Sequence, residues 1–296
     1  MTVTVFSPAK LNLFLAVTGR RPDGFHDLVS VAAPLDFGDD LTASKTDGQA
    51  AKAGHTLECD APDVPVDRSN LVLRAAEAFS ASTGWDGSVH FKLAKRIPMG
   101  AGLGGGSSNA VAALRALNEL AGGLLDEARL GALAATLGSD CALFLSGVPV
   151  VMRGRGERLE KLPAPATARL RGRKVLLFKP EFGISTPWAY GRMVARGADY
   201  LPPTGAEARL ARWLEGDAPA EELLFNNMEP AAFEKFPALP LLLEKIRREA
   251  GLAAAMSGSG SACYALLRGE EPAAAAAARI RECWGPGTFL KEARLA

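Results

Sequence analysis

The chain of 296 residues predicts two domains, because a single hydrophobic core stops growing near roughly 250–300 residues. Hydrophobic residues make up 48% and charged residues 23%, a composition typical of globular proteins rather than disordered ones. The 34 basic and 33 acidic residues nearly cancel, so we expect no nucleic acid partner, which would need a surplus of positive charge. Lys10 interrupts the first apolar stretch, and we therefore expect neither a signal peptide nor a membrane anchor.

The four cysteines are scattered, with no CxxC pair and no metal-ligand spacing, and the chain has only three histidines. We therefore expect reduced cysteines and a cytoplasmic location.

The first elements are β-rich. Residues 2–5 alternate threonine and valine, residues 11–17 form a second β-rich run, and Pro8 lies between them, which predicts a hairpin or a bent strand. A Pro-Asp-Gly turn follows within residues 20–26, so we expect Phe25 and His26 to be displayed on a loop.

Further along, hydrophobic spacing predicts helices over residues 70–81, 108–120, 126–137 and 273–283. It predicts strands over residues 89–93, 149–152 and 174–178. A segment rich in proline and alanine near residues 160–170 predicts a domain boundary, dividing the chain into 1–160 and 161–296.

The densest signal is a glycine-rich loop that precedes the predicted helix at 108. Five glycines let backbone amides approach an anion closely, and the positive end of the helix points at the same place. The loop predicts a phosphate site formed by Pro98, Met99, Gly100, Ala101, Gly102, Leu103, Gly104, Gly105, Gly106, Ser107 and Ser108.

Other interpretations of this loop stay open. A glycine turn can serve only to pack a helix on a sheet, although five glycines would be a costly way to do so. A Walker loop is excluded because Ser107 stands between Gly106 and Ser108, where that motif requires a lysine. The loop does satisfy GxGxxG, with Glu119 as a possible ribose ligand, but Glu119 is predicted to end the same helix rather than a second strand.

Together with Ser7-Pro-Ala-Lys-Leu-Asn-Leu13 and Ala255-Met-Ser-Gly-Ser-Gly-Ser261, the loop resembles the three ordered motifs of the GHMP kinase superfamily. Residues 19–26, 35–39 and 138–140 are similar to those members that phosphorylate a cytidylylated alcohol in the non-mevalonate isoprenoid pathway. The resemblance implies an α+β fold with a ribosomal-protein-S5-like N-terminal domain, a ferredoxin-like C-terminal domain and an active site between them. It also implies ATP as phosphoryl donor, Mg²⁺, and a small-molecule alcohol as acceptor.

The resemblance assigns Asp140 as catalytic base and Lys10 as its electrostatic partner. An alcohol needs such a base, because it is a poor nucleophile at neutral pH. Taken alone, Asp140 is equally well explained as a helix N-cap and Lys10 as half of a surface ion pair. Ser107 and Ser108 would bind phosphate or help to hold Mg²⁺, but the metal ligands stay unassigned.

For the substrate, the resemblance implies that Asn12 contacts it, that His26 reads cytosine, and that Phe25 and Tyr190 stack on the base. The chain departs from the family where Phe25 replaces a common tyrosine and where Asn227 replaces a common aspartate, which puts a charge-based role at Asn227 in doubt. Ser257 to Ser261 is expected to border the diphosphate.

Two other functions remain open at this level. A kinase of the same fold that acts on another alcohol, such as mevalonate or homoserine, would have no cytosine for Phe25, His26 and Tyr190 to bind. A catalytically silent relative would bind nucleotide as a sensor, although the presence of both Lys10 and Asp140 argues against it.

Overall fold

The computed structural model describes residues 1–47, 54–268 and 273–296, and within them helices and strands form two compact units. Unit 1 comprises Met1–Ala9, Phe37–Met99 and Gly104–Gly147, and unit 2 comprises Lys10–Asp36, Gly100–Leu103 and Val148–Ala296. Strands β1 (Thr2–Arg20) and β2 (His26–Thr46) contribute residues to both units. The division into 1–160 and 161–296 stays a prediction.

In unit 1, strands β3 (Thr56–Cys59) and β4 (Ser88–Ala94) pair in parallel, and β4 pairs antiparallel with the second half of β2. The helices of this unit are α1 (Leu71–Thr83), α2 (Gly105–Leu120), α3 (Glu127–Leu137) and α4 (Leu143–Ser146).

Local capping explains two of these helices. The Asn70 side chain accepts a hydrogen bond from the backbone of Val72 and starts α1, and Asp126 accepts from Arg129 and starts α3. The predicted helices at 70–81 and 126–137 are confirmed. Helix α2 begins three residues before its predicted start, because Gly104 has a φ of 73° that turns the chain directly into the helix.

Strand β1 is continuous, so the predicted hairpin around Pro8 is wrong, whereas the alternative prediction of a single strand is confirmed. The fixed φ of proline is compatible with an extended strand wherever its missing N–H is not needed for pairing.

Unit 2 contains the first half of β2, which pairs antiparallel with β5 (Val150–Gly154). The elements of unit 2 that belong neither to its second sheet nor to the helices packed on that sheet also include β6 (Arg158–Lys161), α5 (Ala164–Leu170), α7 (Pro203–Glu215), α8 (Ala220–Leu223) and β8 (Phe225–Asn226). Strand β8 pairs in parallel with β1.

The second sheet of unit 2 is antiparallel, in the order β11-β7-β10-β9. Its strands are β7 (Lys174–Lys179), β9 (Ala254–Met256), β10 (Cys263–Leu266) and β11 (Phe289–Arg294). The helices between them are α6 (Thr186–Arg196), α9 (Glu229–Lys235), α10 (Ala238–Glu249) and α11 (Ala273–Trp284). This arrangement is the β-α-β-β-α-β pattern of a ferredoxin-like domain, and the predicted α+β class is confirmed.

Helices α6, α9, α10 and α11 bury their apolar residues against this sheet, in a core that includes Phe178, Met193, Leu243 and Ile280. Burial of this kind is what stabilises an amphipathic helix in a protein. Among the helices of the described residues, none is both long and apolar enough to cross a membrane.

Candidate active site

Unit 2 brings together parts of three segments that are far apart in the sequence. The Lys10 backbone N–H donates to the Leu103 carbonyl at 2.9 Å, and the Ser257 hydroxyl donates to the Gly102 carbonyl at 3.1 Å. The Asn12 backbone N–H donates in turn to the Ser257 hydroxyl at 3.3 Å. The three motifs that carry the family resemblance therefore share one hydrogen-bonded framework.

The backbones of these segments lie too close together for side chains. Gly102 has a φ of 73°, and a Cβ at this position would lie 2.2 Å from the Ser257 carbonyl oxygen. A Cβ at Gly258, whose φ is 58°, would lie 3.2 Å from both the Gly102 carbonyl oxygen and Asn12 Oδ1. Glycine is required at Gly102 by both conformation and space.

Lys10 is a buried cation, only 4% exposed, so its interpretation as half of a surface ion pair is wrong. Its Nζ donates to Asn12 Oδ1 at 2.5 Å. The Asn12 amide is oriented by its own donation to the Ser30 hydroxyl at 2.9 Å, and Ser30 donates to the Phe14 carbonyl at 2.6 Å. The ammonium is thus held in a low-dielectric place, where its charge acts more strongly than it would in water.

In unit 1, helix α2 begins without a side-chain cap. Its cap residue, Gly104, makes no side-chain capping bond, and the first N–H groups of a helix have no partners within the helix. The Ser108 hydroxyl is buried and accepts a hydrogen bond from Ser7 at 2.8 Å, so it serves the packing of the helix start. Glu119 lies near the end of this same helix, so the dinucleotide interpretation is wrong.

Asp39, to which sequence reasoning assigned no role, ties the two ends of the glycine loop together within unit 1. Its Oδ1 accepts from the backbone N–H groups of Arg96 and Ile97 at 2.7 and 2.8 Å. Its Oδ2 accepts from Asn109 Nδ2 at 2.8 Å and pairs with the Lys95 ammonium. Asp39 is fully buried and joins the chain before the loop to the helix after it.

Asp140 lies in a turn between α3 and α4 and is half-buried. It is not an N-cap: the cap position of α4 belongs to Ala142, and the helix has only one turn. The Cys141 thiol next to it lies near the Ser107 hydroxyl, since a Cβ at Gly138 would lie 3.4 Å from Cys141 Sγ and 3.7 Å from Ser107 Oγ, so this turn lies beside the start of α2. Lys10 belongs to unit 2, and its pairing with Asp140 stays a prediction.

The buried cysteines should be unreactive in the folded protein. Burial raises the pKa of Cys141 to about 11 and that of Cys263 well above its usual value, whereas Cys283 is exposed. Since the thiolate is the nucleophile, alkylation at pH 8 should modify Cys283 well before the other two, as read by peptide mass spectrometry. In urea all three should react together. Labelling of Cys141 as fast as Cys283 in the native protein would contradict its burial.

The aromatic residues predicted to bind cytosine lie in unit 2. Phe25 is 50% exposed, as expected for a loop residue, and the Arg155 guanidinium lies 4.8 Å from its ring centre. His26 is the first residue of β2 and is buried, so its predicted display on the loop is wrong. The His26 ring lies 4.6 Å from the Tyr190 ring, and its Nε2 lies 3.0 Å from the hydroxyl of Tyr200.

Asn227 has a structural role that needs an amide. Its Oδ1 accepts from the Val17 backbone N–H at 2.8 Å, and its Nδ2 donates to the carbonyls of Val17 and Asp199 at 2.8 and 2.9 Å. A carboxylate can accept but not donate, so an aspartate here would lose both donations. The aspartate that the family commonly has cannot make this set of bonds.

The described residues contain no group of three or more His, Cys, Asp or Glu side chains placed to hold a metal ion. Mg²⁺ at nucleotides needs few protein ligands, because phosphates and water supply the others.

Comparison with known proteins gives a consistent result. Residues 70–148 match the GHMP kinases N terminal domain and residues 214–285 match the GHMP kinases C terminal domain. The chain is 41% identical over 290 residues to 4-diphosphocytidyl-2-C-methyl-D-erythritol kinase of Synechococcus sp. (strain CC9902), covering 94% of this chain and 92% of that protein. It is 38% identical over 283 residues to the kinase of the same name from Streptomyces avermitilis, covering 94% and 92%.

Among solved structures, the chain is similar to a crystal structure of 4-(cytidine 5'-diphospho)-2C-methyl-D-erythritol kinase. The TM-score is 0.76 at 36% sequence identity, and the match covers 99% of this chain and 100% of the other.

Proposed function

The chain belongs to the GHMP kinases, in the group of 4-diphosphocytidyl-2-C-methyl-D-erythritol kinases, and we propose that it transfers the γ-phosphoryl group of ATP to the 2-hydroxyl of 4-diphosphocytidyl-2-C-methyl-D-erythritol. The reaction belongs to the non-mevalonate route to isoprenoid precursors and would take place in the cytoplasm. The observation that carries the proposal is that hydrogen bonds join the three motifs. Lys10 bonds to the glycine loop at Leu103, and Ser257 bonds to Gly102 and to Asn12.

The nucleotide phosphates would bind at residues 98–108. The first turn of α2, which has no side-chain cap, would offer backbone N–H groups to an anion, and the helix dipole favours negative charge there. Ser107 is the hydroxyl in reach of phosphate or metal, since Ser108 is engaged with Ser7. Mg²⁺ would be held mainly by nucleotide phosphates and water, with the Ser107 hydroxyl as a protein ligand, and when bound it would neutralise charge on the transferring phosphoryl group.

Asp140 would accept the proton of the attacking hydroxyl as the new oxygen–phosphorus bond forms and the bond to ADP breaks. Lys10 would stabilise the negative charge that develops on the reacting oxygens. Its burial and its bond to Asn12 hold the ammonium in place before the reaction starts, which is what electrostatic stabilisation requires.

At the other end of the substrate, cytosine would stack between Phe25 and Tyr190 and form hydrogen bonds with His26. Arg155, which covers the ring of Phe25, adds a positive charge near the cytidylyl group. Asn12 would contact the substrate, and residues 257–261 would border its diphosphate.

A single assay tests this function. Release of ADP from ATP should require 4-diphosphocytidyl-2-C-methyl-D-erythritol and should be absent with mevalonate, homoserine or no alcohol. Equal turnover with mevalonate or homoserine would favour a kinase for another alcohol. ATP binding without any turnover, measured by titration calorimetry, would favour a nucleotide sensor.

A further inference from the structure

His26 lies between two tyrosines of unit 2. The Tyr190 ring lies 4.6 Å from the His26 ring with the planes inclined by 30°, and the Tyr200 ring lies 5.9 Å away at 25°. The Tyr200 hydroxyl also lies at hydrogen-bond distance from His26 Nε2, at 3.0 Å. The other ring nitrogen, Nδ1, has no hydrogen-bond partner within the part of the chain that the structure describes.

The chemistry of the two groups gives this bond a direction. A phenol donates readily, and within the described residues the Tyr200 hydroxyl has no acceptor other than His26 Nε2. Partial burial raises the pKa of Tyr200, which keeps the proton on the phenol. Burial, together with the nearby charge of Arg20, lowers the pKa of His26, which keeps the imidazole neutral. A neutral imidazole that accepts at Nε2 carries its proton on Nδ1.

This tautomer matters for the base that is bound. Cytosine presents an acceptor at N3, whereas uracil presents an N–H donor there. Building on the proposed function, we propose that Tyr200 is a positioning residue that holds His26 in its Nδ1–H tautomer, and that this tautomer selects cytosine over uracil. A buried donor facing another donor is left unpaired, which is a strong source of discrimination.

Backbone contacts place the hydroxyl of Tyr200. The segment before it is held by donation from Asn227 to the Asp199 carbonyl at 2.9 Å, and the segment after it by donation from Leu201 to the Val17 carbonyl at 3.2 Å. Val17 is bound to Asn227 as well. The backbone after Tyr200 is therefore held directly by β1, and the backbone before it is held through Asn227.

The first test observes the tautomer directly, without any activity. Nitrogen-15 NMR of the histidine rings at neutral pH should show Nε2 of His26 unprotonated and Nδ1 protonated in the unchanged protein. In Tyr200→Phe the ring should show a mixture of both tautomers. An Nε2–H tautomer in the unchanged protein, or an unaltered spectrum in Tyr200→Phe, would overturn the proposal.

The second test measures selection. Tyr200→Phe should raise KM for the cytidylyl substrate about threefold to tenfold, the effect of one hydrogen bond, while kcat and KM for ATP stay unchanged. Its preference for the cytidylyl over the uridylyl substrate should fall by a similar factor. Arg192→Ala is the control, because it removes an exposed ion pair with Glu234, whose side chains are 38% and 48% exposed, and leaves Tyr200 and its neighbours Asp199 and Leu201 intact; it should match the unchanged protein.

Failure of the proposed function and failure of the proposed role of Tyr200 would give different results. An unchanged protein that does not phosphorylate the cytidylyl substrate contradicts the proposed function, whatever its NMR spectrum. An active protein whose base preference survives Tyr200→Phe contradicts only the role of Tyr200.

Discussion

Replacing Asp140 with alanine is expected to give a folded protein that binds ATP but transfers phosphate about 10²- to 10⁴-fold more slowly, the usual contribution of a general base. Asp140 lies in a turn, half-buried, and caps no helix, so its loss removes no capping bond of α4. As the proposed base, its loss should appear in kcat, beyond any change in the melting temperature. Single-turnover ADP release and thermal unfolding measure the two quantities separately.

Asp126→Ala is the matched control for this experiment, since Asp126 is an aspartate of the same unit with a capping bond to Arg129 at 2.8 Å. It should cost about 1 kcal/mol of stability and leave kcat unchanged. An Asp140→Ala protein with full activity would remove Asp140 from the mechanism.

Replacing Asp39 with alanine should lower the free energy of unfolding by about 3–5 kcal/mol, the effect of removing one partner from a buried ion pair. The Lys95 ammonium, whose side chain is 8% exposed, would lose the carboxylate it pairs with, and the N–H groups of Arg96 and Ile97 would lose their acceptor. Urea unfolding measures the change. ATP affinity should fall as well, because both ends of the glycine loop are loosened.

The neighbouring aspartate supplies the control. Asp40 pairs with Arg96 at 2.7 Å, but both side chains are largely open to solvent, at 35% and 52% exposure. Asp40→Ala should therefore change stability by less than about 1 kcal/mol. If Asp39→Ala and Asp40→Ala lower the free energy of unfolding equally, the bonds of Asp39 across the glycine loop stabilise the protein no more than an ion pair at the surface does.

The sequence predicted those structural features that depend on residues close together in the chain. Helices α1 and α3 begin next to Asn70 and Asp126, whose side chains cap them through bonds to nearby backbone. The glycine loop was visible for the same reason, as a cluster within eleven residues. Strand β1 was misjudged at Pro8, because whether a missing N–H disturbs a strand depends on the neighbouring strand.

Residues that act through distant partners were not predictable in this way. Asp39 binds groups 56 to 70 positions away, and Tyr200 meets His26 across 174 positions. Residues 35–39 carry part of the family resemblance, but neither they nor the residues next to Tyr200 indicate which groups these side chains bind. The exposure of His26 was misjudged for a related reason: the turn before it is visible in the sequence, but the two tyrosines that cover it are not.

The contact between Gly102 and Ser257 has a consequence for redesign of substrate choice. The two segments proposed to hold the donor and acceptor phosphates share hydrogen bonds and leave no room for a side chain between their backbones. A substitution that moves one of these two segments therefore also moves the other. Directed evolution toward a new alcohol should find its tolerated substitutions around Phe25 and Tyr190, at the distal end of the acceptor, and should rarely accept any within residues 100–103 or 257–261.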